Sequence, residues 1–131
     1  MKPMMIRRFR PRGFTLIELL VVMAIIGMLI ALAMPRYFHS VEKTKEAVLR
    51  ENLSRTRDAL DKYYGDNGVY PDSLESLVSK KYLRALPFDP ITDSNSSWII
   101  VPPDTQNKGA VFDIKSGANK LARDGTEYQS W

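Results

Sequence analysis

The stretch Gly13-Phe14-Thr15-Leu16-Ile17-Glu18-Leu19-Leu20-Val21-Val22, which stays apolar as far as Met34 and stops at Pro35, decides how this chain folds. From Phe14 to Met34 there are twenty-one residues, and Thr15 and Glu18 are the polar ones. At about 1.5 Å per residue a helix of that length spans roughly 30 Å, the thickness of a bilayer's hydrocarbon core. A secretory signal carries an apolar region of only about 7–15 residues with its cleavage site after it, so this run is too long to be one. A carboxylate inside lipid costs at least ~2.5 kcal/mol, and such groups as a rule have a function.

Working outward from that run, the charge is uneven. Lys2, Arg7, Arg8, Arg10 and Arg12 precede Gly13 with no acidic residue among them, and they account for more than the whole net charge of +4. The rest of the chain is close to neutral, so it carries no basic patch of the kind that binds nucleic acid, and none is expected as a partner. A basic leader stays cytoplasmic, which places the C-terminal part on the other side of the membrane. The chain has no cysteine, so no disulfide and no thiolate metal site can form.

Downstream of Pro35, which reads as a kink in a helix that resumes, the pattern becomes amphipathic. Leu49, Leu53, Leu60 and Tyr64 recur at helical spacing, with Val41 and Val48 nearby. Glu46–Arg50 and Glu51–Arg55 are favourable pairs four residues apart. The spacing predicts one helix from the apolar run to about residue 64, ended by Gly65 and Gly68. Asp72 and Glu75 offer a capping box for a short helix over 73–81. Strands are expected near 97–101 and 111–115, joined by the loop 102–109, and Trp131 is expected to pack back. The fold class is therefore α+β: a long N-terminal helix, transmembrane in its first half and amphipathic in its second, packed on a small antiparallel sheet. The expected segments are a basic leader, 1–13, a transmembrane helix, 14–35, and a globular domain, 36–131.

Gly13-Phe14-Thr15-Leu16-Ile17-Glu18, set behind a basic leader, resembles the processing motif of the type IV pilin-like superfamily. The order of elements is most similar to the major, G-type pseudopilins of type II secretion. Gly68-Val69-Tyr70-Pro71, Leu86-Pro87-Phe88-Asp89-Pro90 and the closing Asp124-Gly125 to Trp131 add to the resemblance. After Asp89-Pro90 the chain departs from it, carrying Ile91-Thr92-Asp93-Ser94 where the family has tryptophan, glycine, asparagine and proline.

The resemblance implies that a prepilin peptidase cuts between Gly13 and Phe14, that Phe14 becomes N-methylated, and that Glu18 and Pro35 serve assembly. It also implies partners: other pseudopilins in a homopolymer, the peptidase, and the inner-membrane secretion platform. The chain would sit in the inner membrane with its C-terminal domain in the periplasm, and would join a periplasmic pseudopilus that drives protein export. Physically, an amine on Phe14 of the same or a neighbouring subunit would offset the cost of the Glu18 carboxylate in an apolar surround.

Two alternatives stand beside this one. The first is a pilin or minor pilin for adhesion, motility or DNA uptake; the second is a single-pass membrane protein that binds a partner without polymerising.

G-type relatives often hold calcium in the C-terminal loop, so the resemblance offers Asp113 and Asp124 as ligands. Calcium asks for six to eight oxygens, and Lys115, Lys120 and Arg123 work against it. The competing reading has Asp113 paired with a lysine and Asp124-Gly125 as a turn. No phosphate loop, nucleophile elbow or metalloprotease pattern occurs, and His39 stands alone, so no enzymatic activity is expected.

Overall fold

A computed structural model describes residues 1–3 and 10–131 of the chain. Arg7 and Arg8 of the basic leader lie outside the described residues. The elements are α1 (Leu16–Asn67), α2 (Leu74–Ser79), β1 (Ile99–Val101), β2 (Asp113–Lys115) and a 3₁₀ turn (Tyr128–Ser130). The chain divides into two compact units, Met1–Phe38 and His39–Trp131.

In the first unit α1 begins with a reciprocal cap. Thr15 Oγ1 accepts from the Glu18 N–H, and Glu18 Oε2 accepts from the Thr15 N–H, both at 3.2 Å. Two otherwise orphaned helix donors are thereby satisfied. The most apolar window of α1 is long and hydrophobic enough to cross a membrane, and none of it is buried within the chain. Pro35 lies inside α1 with helix on both sides.

In the second unit α1 is amphipathic. Leu49, Leu53, Thr56, Ala59, Leu60 and Tyr63 are buried along it. The buried tyrosine is Tyr63, not Tyr64. Tyr64 is half exposed and stacks on Tyr70, ring centroids 4.4 Å apart. The helix also runs three residues beyond 64. Gly65 stays helical, and Gly68, at φ +70, ends it by donating its N–H to the Tyr64 carbonyl. A left-handed residue after the last turn is a glycine position.

The short helix is shorter than 73–81, and its cap is Ser73 instead of Asp72. Ser73 has an extended backbone, and its hydroxyl accepts from the Ser76 N–H. The N-cap is thus one residue later than expected, and its hydroxyl serves an orphan donor of the first turn. Both strands are three residues long, against the five expected for each, and pair antiparallel with Ile100 opposite Ile114. Of that pair Ile114 is completely buried. A two-stranded sheet of this length is stable only when packed on a helix, and Ile114 joins the cluster of Leu49, Leu53, Leu60, Leu77, Val111 and Trp98.

Loops close the unit through two tight contacts and one buried acid. A Cβ at Gly117 would stand 1.9 Å from the Ser97 carbonyl oxygen, and one at Gly109 would stand 2.2 Å from that of Tyr70. Asp89 is fully buried. Its carboxylate accepts from the N–H groups of Ile91 and Thr92 and from the Ser116 hydroxyl. Buried charge is tolerated only when so bonded.

Candidate processing and assembly site, and the C-terminal clamp

Residues 13–18 form the first place where sequence-predicted residues meet. Gly13 and Phe14 precede the helix, because the Thr15–Glu18 cap starts it at Leu16. The peptide bond between them is therefore non-helical, and Phe14 is 92% exposed. A Cβ at Gly13 would meet nothing within 4 Å. Among the described residues no contact requires glycine there. The Glu18 carboxylate, expected to face an amine on Phe14, has the Thr15 N–H as its hydrogen-bond donor in the uncut chain. Pro35 stands apart from this group, further along α1.

The other predicted residues, Asp113 and Asp124, belong to the second unit, and each is held by an arginine of α1. Asp113 Oδ1 accepts from Arg57 Nε at 2.8 Å and from the Ile114 N–H at 2.7 Å. The partner is thus an arginine and not a lysine. Arg57 also donates to the Ile114 carbonyl and to a main-chain oxygen of Trp131. Asp124 accepts from the Thr126 hydroxyl and N–H, with the Arg50 guanidinium 3.7 Å away. These bonds, the Thr126 hydroxyl foremost, hold its pKa below the ordinary carboxylate value.

Among the described residues there is no group of three or more His, Asp or Glu side chains able to hold a metal. Two carboxylates that each face a guanidinium do not fit the oxygen-rich shell calcium needs.

Three further residues, Glu46, Arg50 and His39, have partners other than those read from the sequence. Glu46 was expected to pair with Arg50. It accepts instead from the Arg123 N–H and the Tyr128 hydroxyl, tying residues 123–128 to α1. Burial and that bond to Glu46 push the Tyr128 hydroxyl up to about 12. Arg50, released from Glu46, lies 3.8 Å above the Trp131 ring. Of the two predicted helix pairs only Glu51–Arg55 forms, at 2.7 Å. The remaining residue, His39, meets Arg123 at 2.8 Å. A sequence signal for these contacts was weak, since each joins residues more than seventy positions apart.

Comparison with known proteins agrees with this geometry. Residues 8–34 match the family model of the prokaryotic N-terminal methylation motif. The chain is 36% identical over 100 residues to type II secretion system core protein G of Pseudomonas aeruginosa, covering 64% of this chain and 70% of that protein. It is 35% identical over 122 residues to the protein of that name in Pectobacterium carotovorum, covering 81% and 76%. With the one in Klebsiella pneumoniae it shares 29% over 138 residues, covering 93% and 95%. No solved structure gives a significant match. With a methylation motif at residues 8–34, an α+β head behind it and relatives of this kind along most of its length, the chain belongs to the pilin-like pseudopilin family of type II secretion system core protein G.

Proposed function

We propose that this protein is a structural, non-catalytic subunit of a type II secretion pseudopilus. It is held in the inner membrane with its head in the periplasm, cut after Gly13 by a prepilin peptidase, methylated at Phe14, and polymerised on an inner-membrane platform to drive export. The observation that carries this reading is the run from Phe14 to Met34. Its large apolar side chains are exposed among the described residues, yet it contains a carboxylate. Lipid can cover the apolar surface, but it offers the carboxylate no counter-charge. Packing against other copies covers both, once cleavage has released an amine next to Glu18.

Mass spectrometry of the N-terminus, on protein made with and without the peptidase, tests this directly. Methylated Phe14 is expected in the first case and an uncut leader in the second. An uncut leader in both would favour a plain membrane anchor and overturn the proposal.

A further inference from the structure

Three oxygen atoms, two from neighbouring residues of β2 and one from Trp131, converge on one cation. Asp113 Oδ1, the Ile114 carbonyl and a main-chain oxygen of Trp131 stand 2.8, 3.2 and 2.7 Å from nitrogens of the Arg57 guanidinium. A carboxylate oxygen with main-chain oxygens is the ligand chemistry that calcium uses. Here the positive centre is a side chain delivered by α1. Two turns earlier on the same helix Arg50 covers the Trp131 ring and faces Asp124. The Trp131 ring nitrogen donates to Thr126 Oγ1, whose own hydroxyl donates to Asp124. Both aspartates of this C-terminal segment are thus connected to α1 through arginine.

We infer that Arg57, with Arg50 beside it, takes the structural place of a bound calcium ion, so that residues 113–131 are held to the head without metal. A guanidinium stays charged at any pH the protein meets, and its planar fork bonds several oxygens at once. The Arg57 and Asp113 side chains are only 37% and 27% exposed, so solvent screens this pair less than a fully exposed surface bridge. A dication approaching Asp113 would first have to displace a tethered cation that already makes three hydrogen bonds. The inference concerns the head alone and stands whether or not the chain polymerises.

The test is thermal unfolding of the full chain in detergent micelles, followed by tryptophan fluorescence, in EDTA and in calcium chloride. The expected result is one Tm in both conditions for the natural chain. Arg57→Ala should lower the Tm by about 5 °C or more and speed proteolysis within 113–131. Arg57→Lys, which keeps the charge but not the fork, should fall between the two. A saturable rise in the natural chain's Tm with calcium would overturn the inference, as would an Arg57→Ala protein that melts with the natural one. Should Arg57→Ala not fold, the natural chain and Arg57→Lys still decide the matter.

Discussion

Two regions of one helix differ in what their apolar side chains touch. Between Phe14 and Met34 the large apolar residues are exposed within the chain. Between Leu49 and Tyr63 they are buried against α2, β2 and the closing loops. The two regions do not differ simply in greasiness. The first is apolar on all sides, so no small domain could cover it, and its cover must come from outside. The second keeps its apolar residues on one stripe, which a sheet two strands wide can hide. An apolar helix all round therefore signals a partner, lipid or protein, while a striped one signals a core.

Substitutions can break this contrast. The largest effect is expected from Glu18→Ala. It should leave membrane insertion intact and abolish filaments seen by shearing and electron microscopy; normal filaments would show that the carboxylate has no part in assembly. Next, Leu60→Ala removes a fully buried side chain and should cost the head about 2–5 kcal/mol. Leu29→Ala, at a 61% exposed position, should leave the Tm of the head unchanged. Equal losses from the two, read by thermal melts in detergent, would erase the distinction between the regions.

The smallest effect belongs to Tyr128 and sharpens the picture of the second region alone. The fold favours the neutral phenol, whose pKa rises from 10.0 to about 12. Its contribution to stability is therefore complete below pH 10 and is lost as pH rises through about 12. Tyr128→Phe should shrink the alkaline loss in a pH series of melts without removing it, because Tyr70 and Tyr82 are shifted upward too.

Much of this was legible in the residues. The membrane-length run, the position of Gly13–Phe14 before it, and the amphipathic stripe at Leu49, Leu53 and Leu60 all depend on contacts between near neighbours or on composition. Where readings slipped, a local rule met a competitor it could not weigh. Tyr63 and Tyr64 are adjacent, and only the direction of the core separates them. Asp72 and Ser73 are both good caps, and the serine sits one place closer to the donor. Glu46 and Arg50 satisfy the rule for a helix pair, yet each found a better partner in residues 123–131.

The sequence by itself determined the two kinds of helix surface, because apolar length and periodicity are properties of consecutive residues. Only the tertiary structure decided what holds the C-terminal segment. Arg57 meets Asp113, Ile114 and Trp131 across 56 to 74 positions, and no spacing in the chain encodes a contact at that range. That contact exists because the buried stripe of α1 and Ile114 of β2 share one core, which brings a helix-borne cation to those oxygens.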